Sequence, residues 1–125
     1  MKRQRPEDAL QKSMVQFLES SVPPPPAGPW WTASNPDPGR TSIIKAARWK
    51  AMGLKAGTPD LIMCFRCRFI GIEVKPPYRY LSKVQKEVHA EIDLAGGVTH
   101  TVRSVDELQA ILLVLGVPVH GRIAA

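Results

Sequence analysis

The stretch GTPDLIMCFRCRFIGIEVKPP, residues 57–77, contains two apolar blocks separated by a short basic segment. We interpret the blocks as β-strands over residues 61–65 and 69–74, joined by a tight turn near Arg66, Cys67 and Arg68. Arg-Cys is an unusual sequence for a two-residue hairpin turn, so a register shifted by one or two residues is the alternative. The stretch therefore predicts an antiparallel hairpin, around which the remaining chain is interpreted.

Three charged side chains lie at the open end of the predicted hairpin. A turn centred on residues 66 and 67 places Asp60 opposite or nearly opposite Glu73, and facing Cβ atoms in such pairs are about 4.5–5.5 Å apart. Lys75 points to the same face as Glu73, because side chains alternate along a strand. Two carboxylates this close repel each other unless a cation lies between them, which favours a site for an oxygen-seeking ion such as Mg²⁺. The structural alternative is a strand that starts at Asp60 and a surface ion pair between Glu73 and Lys75.

The segments around the hairpin predict helices and strands in alternation. A helix is expected over residues 6–20, a short strand in WWTAS (30–34), a helix over 41–52, and a third helix that opens at Ser82. A strand is expected within AGGVTHTVRS (95–104), followed by a capping box from Ser104 to Glu107 and a final helix. The order α-β-α-β-β-α-β-α predicts an α/β fold with a mixed sheet flanked by helices.

Apolar residues at helical spacing indicate which faces point inward. The expected inward residues of the second helix are Ile43, Ile44, Ala47 and Met52. Those of the final helix are Leu108, Ile111, Leu112 and Leu115. The 125 residues fit one domain, 1–125, with a proline-rich loop at 22–29, a turn-rich loop at 35–40 and a tail at 117–125.

Composition restricts the class of protein. The net charge of +6 suits a polyanionic partner such as nucleic acid, and the hydrophobic fraction of 44% argues against disorder along the whole length. No long apolar run suggests a signal peptide or a membrane helix, so we expect a cytoplasmic protein with no membrane partner. Cys64 and Cys67 form a single CxxC pair, which is a poor zinc signature, and buried or turn-lining reduced thiols are the preferred interpretation.

Several short patterns follow one another along the chain. Pro59-Asp60 followed by Glu73-Val74-Lys75 resembles the PD-(D/E)xK nuclease pattern. The accompanying patterns are Glu7 with Gln11, Gly57 to Asp60, Ser82 with Gln85, and Gly97-Val98. In this order they resemble the VRR-NUC family of that superfamily, over nearly the whole chain except the proline run and the last few residues. The resemblance implies a restriction-endonuclease-like core.

The resemblance also implies a metal site. Asp60 and Glu73 would bind the divalent cation, Mg²⁺ or Mn²⁺, and the main-chain carbonyl of Val74 would be a further ligand. Lys75 would orient or activate the nucleophilic water. These implied roles agree with the side chains that the hairpin geometry brings together.

Two further side chains have both an implied role and a structural alternative. Glu7 would approach the metal from the first helix through water, but an acid in a first turn also complements the helix dipole. Gln85 would border the site from the third helix, but Ser82-x-x-Gln85 is also a capping box, in which Gln85 returns to its own helix end. His89, one turn further, stands where related nucleases often carry a tyrosine, and no role is assigned to it.

The combined prediction is a divalent-metal-dependent endonuclease that hydrolyses phosphodiester bonds of DNA. The resemblance implies a stand-alone phage or bacterial protein, located in the bacterial cell or in the host of a phage. It further implies a homodimer that acts on branched or Holliday-junction-like DNA and leaves a 5′-phosphate. The residues expected to contact phosphates are Arg40, Lys45, Arg48, Lys50, Lys55, Arg79 and Lys83.

Three alternatives stay open from the sequence. One is a nuclease of another specificity, such as a flap or restriction-like enzyme. Another is a DNA-binding module that retains the fold without catalysis, against which the intact acid-acid-lysine set argues. The last is a thiol or zinc protein built on Cys64 and Cys67.

Overall fold

A computed structural model of the protein describes residues 6–34 and 43–120. In those ranges the helices are α1 (Pro6–Ser21), α2 (Ile43–Ala51), α3 (Lys83–Leu94) and α4 (Val105–Val114). The strands are β1 (Trp30–Ala33), β2 (Leu61–Phe65), β3 (Arg68–Val74) and β4 (Val98–Val102). The expected architecture, a mixed sheet flanked by helices, is confirmed. No helix within the described ranges is long and apolar enough to cross a membrane.

The β2–β3 hairpin has the register that a two-residue turn predicts. Leu61 pairs with Ile72 and Phe65 with Arg68, so that residues 66 and 67 alone form the turn. Both turn residues have positive φ angles, 51° and 63°, as in a type I′ turn, whose twist matches that of paired strands. The alternative of a shifted register is therefore wrong, and β3 begins one residue earlier than expected.

The strands of the described residues form one sheet in the order β1-β2-β3-β4. The first three are antiparallel neighbours, whereas β4 pairs with β3 in parallel after the crossover through α3. One face of the sheet packs against α1 and α4, and the core there includes Met14, Phe17, Leu18, Leu61, Met63, Ile70, Ile72, Val74, Val102, Leu108 and Leu112. The opposite face is partly covered by α3, and it is this face that presents Glu73 to His89 of α3.

The prediction that one face of the second helix points into the core is wrong. Ile44, Ala47 and Met52 are all exposed, and the side chain of Ile43 lies outside the described part of the chain. The apolar spacing is present in the sequence, but among the described residues no helix or strand packs extensively against α2. An apolar stripe is buried only where a second element covers it, so the stripe of α2 stays exposed.

The end of the chain also differs from the expectation. Val117 is buried in the core and Val119 packs against it, so the segment from 117 to 120 is not a tail. Residues 22–29, the proline-rich segment, form irregular chain between α1 and β1. The loop at 35–40 and the last five residues, 121–125, lie outside the described residues.

Neighbouring leucines in α4 provide a test of this packing. Leu112 is fully buried in the core, whereas Leu113 is 48% exposed. We expect Leu112→Ala to lower the free energy of unfolding by about 2–5 kcal/mol, because the substitution leaves a cavity. The matched variant Leu113→Ala changes the same atoms at an exposed position, and we expect a loss of roughly 0.5 kcal/mol or less. Urea denaturation followed by circular dichroism measures both values, and equal losses would contradict the packing described here.

Candidate functional site

Asp60 and Glu73 meet at the open end of the hairpin. Leu61 pairs with Ile72 in the antiparallel register, so one residue further along each strand Asp60 lies opposite Glu73. Oδ2 of Asp60 accepts a hydrogen bond of 2.8 Å from the main-chain N–H of Val74. This bond fixes the Asp60 carboxylate beside β3, next to the carboxylate of Glu73.

The segment that leads into β2 is held from both sides. The main-chain N–H of Ser34 donates to the carbonyl of Asp60 at 2.9 Å, and the Ser34 hydroxyl donates to the carbonyl of Pro59. On the β3 side, a Cβ added to Gly71 would lie only 2.7 Å from Cγ of Pro59. Gly71 therefore permits the close approach that places Pro59 and Asp60 over β3, because any larger side chain would displace them.

Glu73 is the most unusual side chain of the site, because it is an acid with only 1% of its surface exposed. Nε2 of Gln85 donates to its Oε2 at 3.3 Å, and Nε2 of His89 lies 3.1 Å from its Oε1. Burial, followed by the hydrogen bond and the negative charge of Asp60, raises the pKa of Glu73 to about 9, while Lys75 lowers it. Without a further positive charge, Glu73 is therefore protonated at neutral pH.

Gln85 takes both of the roles that the sequence left open. Its Oε1 accepts from the main-chain N–H of Ser82 at 2.9 Å, and its own N–H donates to the Ser82 hydroxyl at 3.1 Å, which completes a capping box. The same amide uses its NH₂ group to contact Glu73. The cap thus fixes the start of α3 and the orientation of a polar group over the buried acid.

His89 is a member of the site that the sequence did not assign. Its side chain is buried beside Glu73, and its pKa is lowered mainly by that burial, against the opposing effect of Asp93 and Asp60. A neutral imidazole therefore contacts Glu73 at neutral pH. The signal in the sequence is its spacing, since His89 lies one helical turn after Gln85 and hence on the same face of α3.

Lys75 connects the site to the first helix. Its Nζ lies 3.8 Å from Oε1 of Glu7, which stands in the first turn of α1. The main-chain N–H of Lys75 donates to the carbonyl of Val102 at 3.1 Å, so that the parallel pairing of β3 and β4 continues one residue beyond the strand. The lysine stem is mostly buried, and its ammonium group is held between strand and helix.

The polar atoms suited to a metal ion at this site are oxygens. They are the carboxylates of Asp60 and Glu73, and the carboxylate of Glu7 lies nearby because it pairs with Lys75. Within residues 6–34 and 43–120, no group of three or more His, Cys, Asp and Glu side chains is arranged to hold a metal ion. A structural zinc site takes four protein ligands, whereas Mg²⁺ typically binds one or two carboxylates and keeps several waters. The residues present therefore fit a magnesium-type ion.

The two cysteines lie at the other end of the hairpin. Cys64 is exposed on β2 and Cys67 is exposed in the turn, and both are free thiols. The expectation of a buried or turn-lining thiol thus fits Cys67 but is wrong for Cys64. Cys64 is exposed because the alternation of β2 directs its even-numbered residues away from the core on α1 and α4.

A cleft of about 950 Å³ lies beside the segment that leads into β2, where Ser34, Gly57 and Thr58 line it. Asp60, Glu73 and Lys75 do not line this cleft. Trp49 and Lys50 line it from α2, and Lys55 lines it from the loop that follows. Glu87 and Glu91 line it from α3, on the helix that also carries Gln85 and His89. Two of the expected phosphate-binding lysines thus share one cleft, opposite a helix with its own negative charges.

The remaining basic residues are more dispersed. Exposed positions outside the cleft are occupied by Lys45, Arg48, Arg79 and Lys83. Nζ of Lys83 lies 3.9 Å from Oε1 of Glu87 in an exposed pair along α3, which is a weak interaction in water. Arg40 lies outside the described residues. Among the described residues, the expected phosphate-binding set is thus divided between the cleft and other exposed positions.

The fold and the site define an α/β protein with two acids and a lysine at one end of the two central strands of a mixed sheet. A solved structure described as a "VRR_NUC domain protein" matches 90% of this chain and 88% of its own, with a TM-score of 0.63 and 23% sequence identity. A likeness at this identity shows the fold, so the protein has the fold of that VRR_NUC domain protein, as the sequence resemblance implies. No family model and no curated protein matches the chain.

The buried acid predicts a pH dependence of stability in the metal-free protein. The pKa of Glu73 in the folded chain, about 9, lies above its ordinary value of 4.5. The stabilisation that protonated Glu73 provides is therefore complete below pH 4.5 and is lost as the pH rises toward 9. In EDTA, we expect the wild type to lose up to about 1.4 kcal/mol of unfolding free energy per pH unit over this window.

Chemical denaturation at several pH values measures this slope. Glu73→Gln cannot ionise, so its stability should fall less steeply with pH than that of the wild type. Glu19→Gln makes the same change at an exposed position of α1 and should retain the wild-type slope. Identical slopes for all three proteins would show that Glu73 ionises freely in the folded state.

Proposed function

We propose that this protein is a member of the VRR-NUC family and a divalent-metal-dependent endonuclease that hydrolyses phosphodiester bonds of DNA. The observation that carries the proposal is the position of Asp60, Glu73 and Lys75 at one end of a single hairpin. The fold shared with a VRR_NUC domain protein supports the same class. A net charge of +6 suits a DNA substrate. The proposal places the site within the PD-(D/E)xK superfamily.

The chain's own residues have distinct roles in the proposed reaction. Asp60 and Glu73 bind the divalent cation through their carboxylates, and Val74 through its main-chain carbonyl. When bound, a divalent cation such as Mg²⁺ or Mn²⁺ supplies Lewis acidity and a positive charge beside the phosphate. Lys75 donates a hydrogen bond to the attacking water or to a phosphate oxygen, where it stabilises the developing negative charge. Water attacks phosphorus in line, the P–O3′ bond breaks, and the proton lost by the water ends on O3′ by way of solvent, so the products are a 5′-phosphate and a 3′-hydroxyl.

Three further side chains orient these groups. Gln85 and His89 hold the carboxylate of Glu73 from α3. Glu7 holds the ammonium group of Lys75 from α1, and it approaches the cation through water. Each of these residues sits on a helix, whereas the residues that contact the cation sit at the ends of strands, so the site is assembled from both layers of the fold.

We further propose a branched, Holliday-junction-like DNA as the substrate and a homodimer as the active form. The basis is the resemblance to the stand-alone VRR-NUC proteins, and a twofold pair of sites is suited to cutting two strands of a junction. A panel of labelled junctions, flaps, forks and linear duplexes compares this substrate with the flap and restriction-like alternatives. Preferred cutting of flaps or linear duplexes would replace the junction assignment.

The nuclease proposal is tested by cleavage of such a panel in Mg²⁺ or Mn²⁺. We expect Asp60→Asn, Glu73→Gln and Lys75→Met each to reduce the cleavage rate by about 100-fold or more, because each removes charge that acts on the transition state. EDTA should abolish cleavage by the wild type. DNA binding, measured by fluorescence anisotropy, should largely survive in all three variants.

Matched substitutions at exposed positions of α1 control for changes of charge alone. Glu19→Gln and Lys12→Met alter the same chemical groups away from the site and should cleave at the wild-type rate. Cleavage that persists in Asp60→Asn or Glu73→Gln would overturn the assignment of the metal ligands. Binding by the wild type without cleavage under any metal condition would favour the non-catalytic DNA-binding module.

The two lysines of the cleft lead to a separate prediction about how DNA binding depends on salt concentration. If Lys50 and Lys55 contact phosphates, Lys50→Ala and Lys55→Ala should each weaken binding and reduce the slope of log K against log salt by about 1. Lys12→Ala, on α1, should leave the slope unchanged. Titrations of DNA at several salt concentrations measure these slopes. Unchanged slopes for both cleft variants would place the DNA outside this cleft.

A further inference from the structure

The loop between β3 and α3 carries two exposed tyrosines next to the site. It runs from Lys75, which lies in the site, to the Ser82 cap that Gln85 completes. Tyr78 is 92% exposed and Tyr80 is 80% exposed. Both rings therefore have little packing to lose and can contact a partner.

The backbone conformation of Tyr78 is also unfavourable for a bulky residue. The main-chain N–H of Arg79 donates to the carbonyl of Pro76 at 3.2 Å, and Tyr78 has a φ of 67°. These are the features of a type II turn with Pro77 at its second position and Tyr78 at its third, the position at which glycine is strongly preferred. The fold alone thus favours glycine at residue 78, and the exposed ring gains no packing in return.

Arg103 holds this loop in place. Its Nη1 donates to the carbonyl of Pro76 at 2.8 Å and to the carbonyl of Arg79 at 2.6 Å. Arg103 directly follows β4, whose last residue, Val102, accepts the main-chain hydrogen bond of Lys75. The tyrosines are therefore displayed at a fixed position relative to Lys75 rather than on a free loop.

We propose that Tyr78 and Tyr80 stack on unpaired bases of a DNA strand whose phosphate lies at the Asp60–Glu73–Lys75 site, with Arg79 between them contacting the backbone. The proposal rests on the proposed nuclease function and adds that, in the branched DNA proposed above, the nucleotides beside the scissile bond are unpaired when bound. Bases within a duplex have their faces covered by neighbouring pairs, whereas unpaired bases present a free π-face to an aromatic side chain. An opened strand offers bare base faces, on which the two exposed rings can stack, and negative phosphates, which the arginine between the rings can contact.

The test measures binding in EDTA, so that no cleavage intervenes. The probes are a fully paired duplex and a duplex of equal phosphate number with splayed, unpaired arms. We expect the wild type to prefer the splayed DNA, and Tyr78→Gly and Tyr80→Ala each to lose about 10-fold in affinity for it, as removal of one base–aromatic stack predicts. Their affinity for the paired duplex should stay within about 2-fold of the wild type, because the loss is confined to stacking.

Three variants separate stacking from damage to the fold. Tyr78→Gly should melt at the wild-type temperature or above it, because glycine accepts the positive φ of this position. Tyr80→Phe keeps the ring and should keep the preference for splayed DNA. Trp30→Ala removes an exposed aromatic residue that pairs with Cys64, about 13 Å along β2 from Asp60, and it should bind both probes as the wild type does.

Equal affinity of the wild type for both probes would overturn the proposal, as would equal losses on both probes in the tyrosine variants. A change in oligomeric state of Tyr78→Gly in sedimentation experiments, with similar losses on both probes, would instead assign the tyrosines to self-association. Failure of the nuclease proposal gives a different pattern, in which the preference for splayed DNA persists but the wild type cleaves neither probe in Mg²⁺.

Discussion

The pairing register of β2 and β3 is the constraint on which the site depends. The two-residue turn at Arg66 and Cys67 sets that register, and it brings Asp60 across from Glu73. Side chains alternate along a strand, so a slip of one residue would turn Glu73 toward the apolar core and Ile72 toward α3. The core residues of β2 and β3 therefore enforce the geometry of the site, since the same register buries the apolar side chains and brings the acids together.

The site is assembled at a cost to the stability of the fold. Glu73 is buried next to Asp60, and burial together with that neighbour raises its pKa. Gln85 and His89 supply hydrogen-bonding groups for its two oxygens, which satisfies them without adding a charge. Lys75 lowers the pKa of Glu73, and its ammonium group also pairs with Glu7. The negative charge that the site accumulates on ionisation thus exceeds the positive charge that the described residues provide, and a divalent cation would offset this excess.

Local rules predicted the parts of the fold that local interactions determine. Counting outward from the turn was sufficient to place Asp60 opposite Glu73, and the capping pattern at Ser82 gave the start of α3. The prediction of a buried face on the second helix was wrong because periodicity shows which residues share a face but not whether another element covers that face. The role of His89 was missed for a similar reason, since its contact with Glu73 depends on where α3 crosses the sheet. Long-range packing therefore limited the prediction more than local conformation did.

Two locally unfavourable features occur within one short segment, and their proximity is informative. Glu73 is an acid in a buried position, and Tyr78 is a bulky residue in a conformation that favours glycine. Neither is explained by packing. Glu73 is the penultimate residue of β3, and Tyr78 lies in the loop that connects β3 to α3. Unfavourable local conformations persist where the surrounding structure holds them, and they concentrate at functional sites. Arg103 and the Ser82 cap hold the two ends of the connecting loop, so its tip can vary in sequence while the acids and Lys75 keep their positions. If both proposals hold, chemistry and substrate choice belong to adjacent but separable parts of one segment.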